Sequence, residues 1–129
     1  MFRLAHVSDV HLGPLPDVTY RDLASLRMVG YVNWQRNRRH IMQDGVIGSI
    51  TADIKAVGVD HLAVTGDLVN LALDGEIELA RLWLETLGPP EEVSVGPGNH
   101  DAYVPGAFDK VCRFWGPWMT GDGRNAPSD

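Results

Sequence analysis

The sequence predicts an α/β protein: a parallel sheet flanked by helices. Three observations predict it. Three short, mostly apolar runs, Phe2–Val7, His61–Val64 and Val93–Val95, end in polar or glycine-bearing residues, as buried strands do. The stretches between them carry apolar residues at spacings of three and four, the period of an amphipathic helix. The strand–helix–strand–helix–strand order then requires crossovers, which bring the carboxyl ends of the strands to one edge.

Each element has its own signal. Phe2–Val7 is followed by Gly13-Pro14-Leu15-Pro16, which breaks regular structure. A helix is expected from about Arg21 to Trp34, with Leu23, Leu26 and Gly30 on one face. A firmer helix, about Arg39 to Val57, places Ile47, Ile50, Ile54 and Val57 on one face and stops at Gly58. After the second strand, Asp74 can cap a helix whose Ile77, Leu79, Ala80, Leu84 and Leu87 form an apolar face, ended by Gly88-Pro89-Pro90. The third strand is cut off by Gly96-Pro97-Gly98. A last helix begins near Pro105 and strings Phe108, Val111, Trp115 and Trp118 along one stripe, a face that needs covering in so short a chain. Residues 1–120 thus read as one domain and 121–129 as a loose polar tail.

The 129 residues suit one domain, and 44% apolar with 22% charged residues is the balance of a globular chain. Disordered, collagen-like and disulfide-stapled classes are excluded. Eleven basic against seventeen acidic residues give a net charge of −6, which argues against a protein that neutralises nucleic-acid phosphates. No run approaches the roughly 18 to 20 apolar residues of a membrane span, and the N-terminus lacks the apolar stretch of a signal peptide. With Cys112 as its single cysteine the chain is expected in a reducing, cytoplasmic setting.

Ligand sites in open parallel sheets lie beyond the carboxyl ends of the strands. After the first strand, Asp9 and His11 stand two apart, which on extended backbone points both to one side. An oxygen and an imidazole nitrogen suit Zn, Mn or Fe, although the pair alone arises often by chance. After the second, Gly66 permits a tight turn that stands Asp67 at the strand tip, where its two oxygens could bridge two cations; by itself this is also an ordinary turn. After the third, Gly98-Asn99-His100-Asp101 delivers an amide, an imidazole and a carboxylate in succession.

Together, Asp9-Val10-His11, Gly66-Asp67-Leu68-Val69-Asn70 and Gly98-Asn99-His100-Asp101 resemble the first three motifs of the calcineurin-like metallophosphoesterases. The resemblance covers residues 2 to about 103, and the segments around Val7 and Val64 are similar to bacterial members, including those near cyclic-nucleotide phosphodiesterases. It implies the N-terminal half of the α/β sandwich of that superfamily. It also implies two divalent metal ions (Mn, Fe, Zn or Co), about 3.5 to 4 Å apart, that activate water against a phosphate ester. By the same resemblance Asp9 and His11 bind the first metal, Asp67 bridges, and Asn99 binds the second. His100 protonates the leaving oxygen, and Asp101 orients its ring.

The superfamily completes this site with later G-H and G-H-x-H motifs, whereas this sequence has no histidine after His100. The remaining histidines are poor substitutes. His6 has the opposite strand parity to Asp9 and is expected in the core, His61 opens the second strand at its far end, and His40 starts a basic helix and is solvated. The expectation is therefore a chain truncated before its last ligands, weakly active or inactive alone, with a C-terminal half or a second copy completing the site. The alternative is a non-catalytic module that binds a phosphate ligand or a protein. The basic run Trp34–His40 reads as a solvated helix junction rather than a contact for an anionic substrate or membrane headgroups.

Overall fold

The computed structural model describes residues 1–13 and 44–121. The helix expected over 21–34, the basic run 34–40 and residues 122–129 lie outside them. Three strands, β1 (Leu4–Ser8), β2 (His61–Gly66) and β3 (Val93–Pro97), form a parallel sheet in the order β1-β2-β3. Val7 pairs with Val64, and Val64 with Val95, so all three strand tips finish side by side. Helices α1 (Asp44–Val57), α2 (Asp74–Leu87) and α3 (Ala107–Met119) flank it. The predicted α/β class is the one found. Among the described residues no helix is long and apolar enough to cross a membrane.

The core lies where α2 and α3 meet the sheet. Val64, Leu68, Ile77, Leu84, Val93, Val111 and Trp115 are buried there. The stripe of α3 is covered after all: Trp115 and Trp118 are buried, and their indole N–H groups donate to the carbonyls of Ile77 (2.9 Å) and Gly88 (3.1 Å). A tryptophan so seated loses no hydrogen bond on burial. Phe108 departs from the stripe and is exposed, whereas Val111, Trp115 and Trp118 are buried where α3 packs on β3 and α2.

Two other expectations are corrected. The face of α1 is only partly buried: Ile54 packs on the core, while Ile50 and Val57 are exposed. Its sequence period is helical, but the described elements do not cover it. Gly58, with φ +67°, ends α1 as expected, a conformation that suits glycine. The cap of α2 is also not Asp74, which is exposed and pairs with Lys110. The buried carboxylate of Glu76 takes that role, accepting the N–H of Leu73 at 3.0 Å from the third helical position.

Candidate metal centre

Beyond β1 the chain stays beside the continuation of β2. Asp9, His11 and Leu12 donate their N–H groups to the carbonyls of Thr65, Asp67 and Leu68 at 2.8–3.0 Å. This stretch is not extended. Asp9 and His11 have φ of +52° and +42°, so their convergence comes from left-handed turns and not from strand parity. Such backbone is unfavourable for residues with a side chain and persists only where its surroundings impose it. Ala72, in the loop after β2, is the third non-glycine residue with positive φ among those described.

Asp9, His11 and Asp67 each offer one ligand atom, and these atoms lie within 4.8 Å of one another. Asp9 is exposed, His11 half-buried and Asp67 6% exposed. His11 Nδ1 lies 3.3 Å from the carbonyl of Val69. A carbonyl can only accept, so this contact is a hydrogen bond when Nδ1 carries the proton, which makes Nε2 the ligating nitrogen. Nε2 is 3.9 Å from Asp67 Oδ2, too long for a hydrogen bond and short enough for both atoms to reach one ion at about 2 Å each. Among the described residues no lysine or arginine pairs with Asp9 or Asp67. Two carboxylate oxygens and one imidazole nitrogen are a donor set that fits Mn, Fe, Zn or Co.

Glycines let the strand tips close. Gly66 has φ +76°, and a Cβ there would stand 2.9–3.0 Å from the carboxylate of Asp9. At Gly98 the fit is tighter, with a Cβ 2.2 Å from Asp67 Oδ1. Asp67 Oδ1 also accepts the N–H of His100 at 2.8 Å, which ties the third motif to the second. Asn99 lies exposed on the same turn.

The His100 ring is held on three sides. Nδ1 meets the carbonyl of Asn70 at 2.7 Å. Tyr103 stacks on the ring at 5.3 Å and 2°, and His11 meets it edge-on at 5.4 Å. Asp101 does not orient this ring. Its side chain, fully buried, accepts three backbone N–H groups: Leu68 and Val69 at Oδ1, both 2.9 Å, and Gly98 at Oδ2, 2.8 Å. The Asn70 carbonyl holds the ring in its place. Burial raises the pKa of Asp101 to about 6, against the three donors that favour the ion; nearby Asp67 adds a smaller upward push.

The other described histidines are elsewhere. His6 is exposed, not in the core, and its Nε2 meets Thr65 Oγ1 of the neighbouring strand at 2.7 Å. His61 meets Ser94 Oγ at 2.8 Å at the far end of the sheet, as expected. His40 lies outside the described residues.

Sequence reasoning missed the loop after β2. Glu76, 3% exposed, accepts the N–H of Asn70 at Oε1 (2.9 Å) and those of Leu71 and Leu73 at Oε2 (both 3.0 Å). Asn70 Nδ2 donates to the carbonyl of Leu12 at 3.1 Å, linking that loop to the first motif. The available signal was a glutamate at the third position of a helix.

A family model described as calcineurin-like phosphoesterase matches residues 2–125. No curated protein and no solved structure matches the chain.

Proposed function

Because this chain belongs to the calcineurin-like phosphoesterase family, we propose that it carries a site for metal-dependent hydrolysis of phosphate monoesters or diesters. The observation that carries this reading is the convergence of Asp9, His11 and Asp67, with donor atoms within 4.8 Å of one another at the strand tips. These three would hold one divalent ion; the second oxygen of Asp67 and the amide oxygen of Asn99 would face another. Such ions, when bound, supply charge neutralisation at the phosphoryl oxygens and a water that ionises near neutral pH.

The remaining chemistry belongs to the chain. Water attacks phosphorus, the ester P–O bond breaks, and the leaving oxygen needs a proton. In its charged form His100 holds one proton on Nδ1, directed at the Asn70 carbonyl, and a second on Nε2. It gives up the Nε2 proton and remains a neutral ring still bonded to Asn70, with no reorientation required. Tyr103, stacked on its face, keeps the ring in plane. In this proposal Asp101 acts further back, shaping the turn from Leu68 to Val69. The single cysteine fits a reducing compartment.

The test is calorimetric titration with Mn²⁺, followed by release of nitrophenol from mono- and bis-nitrophenyl phosphate. Mn²⁺ binding, and hydrolysis above the chelator background that is lost in Asp67→Asn, support the reading. Absence of Mn²⁺ binding, or hydrolysis unaffected by chelator, overturns it. Phosphate binding that ignores Mn²⁺ would favour a non-catalytic module.

A further inference from the structure

We propose that Glu76 is a positioning residue that sets the proton positions of both site histidines through two consecutive peptide groups. In a trans peptide the carbonyl and the following N–H point in opposite directions, so fixing one aims the other. The peptide joining Val69 to Asn70 gives its N–H to Glu76 Oε1 and turns its carbonyl to His11 Nδ1. The next, joining Asn70 to Leu71, gives its N–H to Glu76 Oε2 and turns its carbonyl to His100 Nδ1. One carboxylate therefore stands behind two planes, and each plane presents an acceptor to one imidazole.

The consequence is chemical. An imidazole whose Nδ1 faces a carbonyl keeps its proton there. That leaves Nε2 of His11 as a lone pair for an ion and Nε2 of His100 as the end that exchanges a proton. Glu76 is well placed to enforce this, being buried, ionisable and fixed on the first turn of α2, with a third bond to Leu73 N–H that anchors it. It also spans Ala72, held at φ +54°, so the loop has strain to release once the carboxylate is gone. Glu76 touches neither ring. Its effect on chemistry rests on the phosphoesterase reading, but its effect on the tautomers does not.

The experiment is long-range proton–nitrogen spectroscopy of the imidazoles in the wild-type chain, Glu76→Ala and Glu76→Gln, without metal and at a pH where the rings are neutral. In the wild type, His11 and His100 should both show a protonated Nδ1 and a bare Nε2. In Glu76→Ala the Nδ1–H form should fall from the dominant to a minor share at both rings. Glu76→Gln, which keeps one acceptor oxygen, should fall between. His61, at the far end of β2, should not change. Tautomers unmoved in a folded variant, or His61 moving as much as His11 and His100, would overturn the proposal. Loss of fold in both variants would also overturn it, by assigning Glu76 to the fold alone. Where the wild type hydrolyses a nitrophenyl ester with Mn²⁺, Glu76→Gln should lower kcat by roughly 10–100-fold, the usual effect of an outer-shell partner. Absence of wild-type hydrolysis would count against the phosphoesterase reading and leave the tautomer result standing.

Discussion

Replacing Gly98 with alanine tests whether the candidate metal centre depends on the strand tips closing to backbone contact. A Cβ at position 98 would lie 2.2 Å from Asp67 Oδ1 and 2.8 Å from both the Asp67 nitrogen and the Gly66 carbonyl carbon, where real Cβ atoms essentially never come within 3.0 Å. The carboxylate could swing aside, but only by leaving the N–H of His100. The two backbone atoms cannot, because Gly66 is locked in register opposite Pro97. The tips of β2 and β3 must part. Overpacking of this kind costs about 1–3 kcal/mol, which for a domain of this size lowers Tm by about 4 °C per kcal/mol. If about 1.4 kcal/mol of that strain falls on the site, Mn²⁺ affinity drops about tenfold. Circular-dichroism melting and calorimetric Mn²⁺ titration read both quantities. Gly48→Ala is the control: it lies in α1 with nothing within 4 Å of its Cβ, so it should stabilise the protein by about 0.5–1 kcal/mol through helix propensity alone. A Gly98→Ala variant that melts and binds Mn²⁺ like the wild type would refute the reasoning.

Two further outcomes are expected. Mn²⁺ at a hundredfold excess over its Kd should raise stability by about 2.7 kcal/mol in the wild type. Asp67→Asn should abolish that gain while keeping the metal-free melting point, since its amide oxygen can still accept the His100 N–H; an equal Mn²⁺ response in both would remove Asp67 from the ligand set. At Cys112, burial, with a smaller contribution from Asp109, raises the thiol pKa above its ordinary 9.0 and outweighs a backbone hydrogen bond that lowers it. Because the folded chain favours the thiol, the pH midpoint of iodoacetamide labelling should lie higher in the native protein than in guanidinium. The same shift withdraws stability as pH rises through the native pKa, and coincident labelling midpoints would contradict it.

The strands were legible because each is a short, mostly apolar run that stops abruptly, even though burial alternates along them and β1 has no fully buried residue, and because the glycines at 66 and 98 mark where backbone must approach backbone. Asp9, His11 and Asp67 were legible as residue types at strand ends, yet the geometric reason for the first pair was wrong. Parity on an extended strand cannot be assumed beyond Ser8, where hydrogen bonds to Thr65 and Asp67 turn the chain left-handed. Asp101 next to His100 invited a side-chain partnership that adjacency does not supply. Neighbouring residues on a turn project apart, and Asp101 points back to the amides of Leu68 and Val69. Glu76 escaped notice because its partners are peptide groups, which are alike in every sequence and become specific only when a loop arranges them.

Among the described residues, the four carboxylates near this site divide by what already occupies them, and that division explains why two of them are candidates for a cation. Asp101 and Glu76 each accept three backbone N–H groups and are buried, so most of the roughly four lone-pair directions of each carboxylate are already taken. Between them they take the N–H groups of Leu68, Val69, Asn70 and Leu71, four in a row, and so rigidify the loop that follows Asp67. Asp9 is exposed, and Asp67 uses one oxygen on a single N–H and turns the other toward His11. Their negative charges have no basic side chain to meet among the described residues, and bringing them together is unfavourable unless a cation is shared. The same loop that the buried pair holds rigid supplies the carbonyls that orient both imidazoles. The buried carboxylates and the two candidate ligand carboxylates are thus coupled through peptide groups, which makes the spacing from Asp67 to Glu76 as much a part of the site as the candidate ligands themselves.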